Sequence, residues 1–415
     1  MDLPGYYEFL CRARIVGGHQ AIEKLPGILA GLHARKPLII SDQGVVQAGL
    51  LDLVTDAIKA AVAIGAIEAE VPSDSDVHVV NHLAQVYREQ DCDSLIAVGG
   101  GSVIDTAKGV DILVSEQADD LRQFTGAGIL KRPLQPLIAI PTTSGTGSEV
   151  TLAAVIADHE KQVKIPFTSY FLLPDVAVLD SRMTLTLPPF LTALTAMDAL
   201  THAVEAYTGL GKNPLSDTAA LGAIALISQH LLNVVRNPAD PDGRLALAHG
   251  SLLAGIAFSN SMVGLVHTLG HSIGAVCQVP HGTCMSILLP YGLEYNLHKN
   301  GNYTAELLFP LAGAEVYGKT RQSRRAEKVI AHIHQLNQNL HDVTQGKHAR
   351  YLKEVQNREG QMAVPREKLK DIAEIAINDA SIFYNPEELD VEDCWLVLEA
   401  AWEGKPLDRS LIKRS

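Results

Sequence analysis

Aromatic side chains are scarce in this chain, 5% of 415 residues with only two Trp. Ala, Val, Ile and Leu must therefore fill any core. Cysteine is scarce as well: the five, Cys11, Cys92, Cys277, Cys284 and Cys394, are scattered and odd in number. A disulfide framework is not expected in so large a chain. The spacing of Cys277 and Cys284 is not the Cys-x-x-Cys of a structural zinc site. No stretch approaches the ~20 apolar residues of a membrane helix. The opening MDLPGYYE has neither the basic flank nor the apolar run of a secretory signal. The expectation is a cytoplasmic protein with no membrane partner. Positive charge is in deficit, 34 Lys and Arg against 47 Asp and Glu, net -13. That balance argues against nucleic acid as the main partner and leaves room for a local phosphate pocket.

What is present is the composition of a globular protein with a real core, 47% hydrophobic and 20% charged. The length suits two domains. Residues 1–186 alternate short apolar runs with amphipathic stretches. Strands are expected over 37–42 (PLIISD), 94–98 (SLIAV), 137–140 and 176–180, with helices over 45–64 and 102–114. Such alternation implies a mainly parallel sheet flanked by helices, an α/β nucleotide-binding domain. The pattern changes near Pro188-Pro189. Residues 187–415 are expected to form an all-helical domain, with helices clearest over 190–207, 216–235 and 244–258. The polar stretch 336–365 is expected to be a long surface excursion.

Two loops follow successive strands. Gly99-Gly100-Gly101-Ser102 opens a helix, with Ser102 and Asp105 spaced as an S-x-x-D cap. Glycines admit a phosphate to the backbone, and the helix N-terminus offers free N–H groups. A tight turn with no ligand would use the same residues. The second loop, PTTSGTGSE from Pro141 to Glu149, is rich in hydroxyls that suit ribose and phosphate oxygens. It could equally satisfy itself. Ligands of open α/β sheets bind beyond the strand carboxyl ends, where both loops lie. Asp42 at its strand end either accepts from a ribose, favouring NAD over NADP, or caps the next helix.

The second half carries a constellation of a different kind. Asp198 and His202 are spaced i, i+4 in MDALTHAVEAY, so both face one side of a helix. His267 and His271 repeat that spacing in GLVHTLGHSIG, and His281 follows in VPHGTC. One acid with several imidazoles suits Fe(II) or Zn(II). An Asp–His pair at that spacing is also a common surface hydrogen bond, and it is the combination with a nucleotide-type loop that favours a metal.

Taken together, GGGS-x-x-D-x-x-K (Gly99 to Lys108), PTTSGTGSE, MDALTHAVEAY, His267-x-x-x-His271 and PHG before LLPYGLEYN resemble the iron-containing (group III) alcohol dehydrogenase family over nearly the whole chain. Phe9, Ile15 and Gly17-Gly18 are similar to that family's opening hairpin, and Asp379 and Asn385-Pro386 to its closing helices. The resemblance implies a dehydroquinate synthase-like fold. It implies metal ligation by Asp198, His202, His267 and His281, with His271 beside the nicotinamide as the catalytic candidate. It places Asp42, Gly99, Gly100, Gly101, Ser102, Asp105, Thr142, Thr143, Thr146 and Lys164 at an NAD(H) cofactor. It implies hydride transfer between NAD(H) and a small primary alcohol, a diol or the corresponding aldehyde, with Fe(II), or else Zn(II), as the metal. A homodimer or larger homo-oligomer is expected. Ala153 departs from the Asn often found there, and the Pro-Asn-Pro run near Ser73 is altered. The alternatives on the same fold are a dehydroquinate synthase-like lyase and a glycerol dehydrogenase-like enzyme. Maleylacetate reductase, which lacks the metal, and a non-enzymatic nucleotide-binding module are disfavoured by the complete ligand set.

Overall fold

The structure, a computed structural model, describes residues 4–161 and 163–412. It divides into two compact units. The first comprises residues 10–187 and 239–259. Its strands are β1 (Arg14–Gly18), β2 (Pro37–Ser41), β3 (Ala66–Glu68), β4 (Ser94–Gly99), β5 (Gly126–Ala127), β6 (Leu137–Pro141), β7 (Ala153–Asp158), β8 (Val163–Thr168) and β9 (Val176–Asp180). Its helices begin with α1 (Leu25–Gly31), α2 (Gln43–Gln47), α3 (Leu50–Ile58), α4 (Val77–Glu89) and α5 (Gly101–Glu116).

Six strands form one parallel sheet in the order β1-β9-β6-β4-β2-β3. The apolar runs are continuous because both faces are covered. Leu38, Ile40, Leu95, Ala97, Leu137 and Ala139 pack on one side with Val80 and Leu83 of α4 and Val103 and Val110 of α5. Ile39, Ile96, Val98, Ile138 and Ile140 pack on the other with Leu25 of α1 and Val54 and Ile58 of α3. Each buried Val, Leu or Ile contributes about 1.5–3 kcal/mol. A one-residue slip would exchange the two faces, so the register is strongly specified.

Several expectations are corrected here. The helix expected over 45–64 is two short helices, interrupted at Gly49 with φ 71°. The S-x-x-D cap is not formed: Gly100 is the N-cap of α5, without a side-chain bond, and Ser102 lies within the helix. The N-terminal hairpin is absent among the described residues, because β1 pairs in parallel with β9. A second sheet, β5-β8-β7, escaped the sequence reading. Its antiparallel pair β7 and β8 is partly exposed.

The second unit comprises residues 4–9, 188–238 and 260–412. It contains α6 (Pro189–Thr208), α7 (Pro214–Arg236), α9 (Leu265–Cys277), α10 (His281–Glu306), α11 (Leu308–Lys319), α12 (Arg325–Val343), α13 (Leu369–Ala376) and α14 (Val391–Glu403). The intervening helix α8 (Pro241–Ser259) belongs to the first unit, not to the helical one in which the sequence division placed it. Ala248 and Leu252 of α8 pack with Val150, Ala177 and Leu179. Helical periodicity shows which face is apolar but not which partner covers it.

The stretch 336–365 is not a surface excursion throughout. Residues 336–343 complete α12, with Leu336, Asn337 and Leu340 buried. His348 is fully buried, with Nε2 2.8 Å from Ser286 Oγ. Among the described residues one helix, α7, is long and apolar enough to cross a membrane by length and composition. Ala220, Ala223, Ile224, Ile227 and Leu231 form a buried stripe along it, the pattern of a helix in a protein core.

Candidate functional site

In the helical unit, α6 starts at Pro189, the favoured first helical position for proline. Asp198 and His202 lie one turn apart on it, both buried. His267 and His271 are likewise one turn apart on α9, and His281 is the first residue of α10. Gly282 lets these elements approach: a Cβ there would stand 2.6 Å from the Leu194 carbonyl oxygen of α6. Gly270 does the same between α9 and α10, where a Cβ would stand 2.0 Å from Met285 Cε.

The result is a convergent set. His281 Nε2 is 3.3 Å from Asp198 Oδ1, His202 Nε2 is 3.8 Å and His267 Nε2 is 3.9 Å from the same oxygen. Donor atoms of Asp198, His267 and His281 all lie within 4.8 Å of one another. His202 stands beside this trio, its ring stacked on His267 with centroids 4.6 Å apart, rather than within it. His271 is at the rim, stacked on His281 at 5.3 Å. Its Nδ1 is 2.8 Å from Asp379 Oδ2 and its side chain is 45% exposed.

The chemistry of the trio fits a divalent cation. Asp198 Oδ1 and His267 Nε2 are buried and have no hydrogen-bond partner among the described residues, an arrangement that normally costs a few kcal/mol. Burial alone would raise the Asp198 carboxyl, but His202, His281 and His267 overcome it and hold the group below its usual range. Burial lowers His202 to about 3 and His267 well below its ordinary value. One anionic oxygen facing neutral imidazoles is the state that metal ligation requires.

Glu205 was missed in the sequence. It lies seven residues beyond Asp198 on the same face of α6, and Oε2 is 2.5 Å from His267 Nδ1. Burial pushes its carboxyl up to about 7. The i, i+4, i+7 stripe of Asp198, His202 and Glu205 was the available signal, since an acid in so apolar a helix is unusual. Sequence alone assigns Asp379 no role at the site. Its bond to His271 outweighs its own burial and holds its carboxyl below the ordinary range.

In the α/β unit, the two loops after β4 and β6 do come together. A Cβ on Gly101 would stand 2.8 Å from Thr146 Cγ2, and one on Gly100 3.4 Å from Thr143. A Cβ on Gly99 would stand 2.5 Å from Val103 Cγ2, and the Gly99 carbonyl accepts from the Thr142 N–H at 3.0 Å. Gly100 precedes α5 with no side-chain cap, so the first N–H groups of that helix are open to an anion. Ser102 Oγ donates to the Ser73 carbonyl at 2.5 Å. Next to Ser73, Asp74 pairs with Lys164 at 2.9 Å, both exposed. Lys164 thus sits on the second sheet and is held by a neighbour of the Gly-rich turn. Asp105 is half-buried, its Oδ2 accepting from Val155 N–H at 3.0 Å, which ties α5 to β7. Burial raises its carboxyl against the pull of Lys108. Asp42 caps α2, accepting from Val45 N–H at 3.0 Å, so the capping alternative is realised. Its second oxygen is not used by that bond.

Comparison with known proteins gives the same answer twice. Residues 12–181 match the family described as iron-containing alcohol dehydrogenase. Residues 192–402 match the Fe-containing alcohol dehydrogenase family, C-terminal. The chain is 33% identical over 396 residues to NAD-dependent methanol dehydrogenase of Bacillus methanolicus, covering 95% of this chain and 99% of that one. It is 35% identical over 360 residues to 1,3-propanediol dehydrogenase of Klebsiella pneumoniae, covering 86% and 89%. Among solved structures, a 1,3-propanediol oxidoreductase superposes with a TM-score of 0.89 at 31% identity, over 96% of this chain and all of the other. With the ligand cluster and the paired loops in place and both halves matched, this chain belongs to the iron-containing alcohol dehydrogenase family.

Proposed function

We propose that the chain is an NAD(H)-linked, metal-dependent alcohol dehydrogenase and aldehyde reductase acting on small primary alcohols, diols or their aldehydes. The observation that carries this is the convergence of Asp198, His267 and His281 on one point, with two buried polar atoms left over. Asp198, His202, His267 and His281 would hold Fe(II), with Zn(II) as the alternative ion. When bound, such a cation supplies a Lewis acid that lowers an alcohol's pKa and stabilises negative charge on its oxygen.

The protein's own residues do the rest. His271, half-exposed at the rim, donates its Nδ1–H to Asp379, which leaves Nε2 free to take the hydroxyl proton or return it. His267 and His202, kept neutral by burial, present lone pairs rather than competing charge. Gly99, Gly100, Gly101, Ser102, Thr142, Thr143 and Thr146 would receive the pyrophosphate and ribose at the open N-terminus of α5. The free oxygen of Asp42 would accept from an adenosine ribose and repel a 2′-phosphate, favouring NAD(H). When bound, the nicotinamide would supply the hydride donor or acceptor for the carbinol carbon.

The reading supposes a cytoplasmic homo-oligomer, and the net charge of -13 supports its independence of nucleic acid and membrane. The three relatives named above, two dehydrogenases and an oxidoreductase by name, favour it over a lyase of the same fold. It is tested by NADH oxidation against small aldehydes, using metal-stripped protein reconstituted with Fe(II) or Zn(II) under anaerobic conditions. Metal-dependent consumption of NADH is expected. Undiminished turnover without metal would overturn it.

A further inference from the structure

Helix α9 carries both His267 and His271, yet it has no cap of its own. Its N-cap is Gly264, which has no side chain to offer. The first N–H groups of a helix need partners, and here they are supplied from elsewhere in the helical unit. Leu265 N–H donates to Asn385 Oδ1 at 3.3 Å. Val266 N–H donates to Glu205 Oε1 at 2.7 Å. The other oxygen of that carboxylate, Oε2, is 2.5 Å from Nδ1 of His267, the next residue along. Glu205 therefore grips α9 twice, once by its backbone and once by the imidazole.

We propose that Glu205 is the positioning residue of the metal centre, fixing with one carboxylate both the axial position of α9 and the ring orientation and tautomer of His267. The geometry makes the two functions inseparable. Glu205 stands on the same rigid helix as Asp198, so its grip sets the separation between Asp198 and His267. Accepting the Nδ1 proton leaves the Nε2 lone pair facing Asp198, where Nε2 is 3.9 Å from Oδ1. Carboxylate partners of ligating imidazoles act in this way in general. Gly264 keeps the contact short: a Cβ there would stand 3.4 Å from Glu205 Oε1 and 3.3 Å from Asn385 Oδ1. Asn385 is held in turn, donating from Nδ2 to Asn296 Oδ1 at 3.0 Å and to the Glu387 carbonyl at 2.8 Å. Behind Glu205 lies a cavity of about 10 Å³, lined in part by Thr208, Asn296 and Asn385. That is room for one water to satisfy these polar walls. Glutamine cannot replace the carboxylate fully, because both donors require oxygen and an amide has only one.

The inference rests on the metal-dependent reading and is tested apart from it. Co(II) is titrated into metal-free wild type, Glu205→Gln, Glu205→Ala and His267→Ala, following the visible ligand-field bands. NADH affinity and far-UV circular dichroism serve as controls. Glu205→Ala is expected to bind Co(II) 10–100-fold more weakly. Glu205→Gln should fall between it and wild type with altered bands, and NADH affinity should be unchanged. Should Glu205→Ala fail to fold, the isosteric Gln variant carries the test. Wild-type bands with Co(II) affinity within threefold of wild type in Glu205→Gln would overturn the positioning role. Wild-type Co(II) affinity in His267→Ala would instead overturn the metal-centre reading itself.

Discussion

Substituting Gly147, in the hydroxyl-rich loop, separates a packing requirement from a ligand requirement. Its φ is 62°, in the left-handed region. A Cβ there would stand 2.6 Å from Gly255 Cα, 3.1 Å from Gly255 N and 3.2 Å from the Ser251 carbonyl oxygen. All three are backbone atoms of α8, so no rotamer change can relieve the clash. The left-handed conformation costs an L-residue about 1–2 kcal/mol, and overpacking adds about 1–3 kcal/mol. Gly147→Ala should therefore destabilise the α/β unit by roughly 2–5 kcal/mol. The reciprocal Gly255→Ala meets Gly147 Cα, Gly147 O and Val150 Cγ2, each at 2.9 Å, but lies in ordinary helical backbone. It should cost only the overpacking, about 1–3 kcal/mol. The two sites touch, so the double variant should depart from additivity by about 0.5–3 kcal/mol. Urea unfolding followed by circular dichroism measures all three. A Gly147→Ala variant within about 0.5 kcal/mol of wild type, the ordinary range for a surface change, would refute the argument. If such a variant also bound NADH poorly, Gly147 would be a ligand contact rather than the seat of α8.

Three further outcomes are expected. Metal at a hundred times its dissociation constant should stabilise the protein by about 2.7 kcal/mol, raising the Tm of metal-free wild type by several degrees; His267→Ala should show no such rise by differential scanning fluorimetry. The Arg122 guanidinium, 2.7 Å from Asp158, holds that carboxyl down at about 2 against its ordinary 3.8. Its contribution is thus fully present above pH ~4 and lost as pH falls towards 2, so acid unfolding between pH 4 and 2 should be shallower in Arg122→Met than in wild type. Asp42→Ser keeps a capping hydroxyl for α2 but removes the charge; the ratio of NADPH to NADH kcat/KM should rise roughly tenfold, the effect of about 1.4 kcal/mol of relieved repulsion, while thermal stability stays near wild type.

Much of the α/β frame was legible because both faces of the sheet are buried. Pro37–Ser41, Ser94–Gly99, Leu137–Pro141 and Val176–Asp180 are continuous apolar runs that little else explains. The pair β7 and β8 was not legible, since the polar turn after Asp158 interrupts it and half of β8 is exposed. Helical spacing paired Asp198 with His202 and His267 with His271, and the family resemblance added His281; the structure brings Asp198, His267 and His281 together. Their partners were not legible. Glu205 and Asp379 act on His267 and His271 across 62 and 108 residues of sequence, and spacing carries no information at that range. The same limit hid the packing partners of α8, which lie before Pro188, and the bond between His348 and Ser286. Asp42 was ambiguous for a different reason: one carboxylate can serve both a cap and a ribose, and sequence cannot divide its two oxygens.

The central claim is direct hydride exchange with an alcohol carbon at a metal centre. It is tested by supplying an aldehyde substrate with NADH carrying deuterium at the transferable C4 position and analysing the alcohol product by mass spectrometry. The account predicts one deuterium on the carbinol carbon with metal-loaded wild type, and none with metal-free protein or with His267→Ala. Consumption of NADH without deuterium in the product, or equal transfer by the metal-free protein, would contradict it.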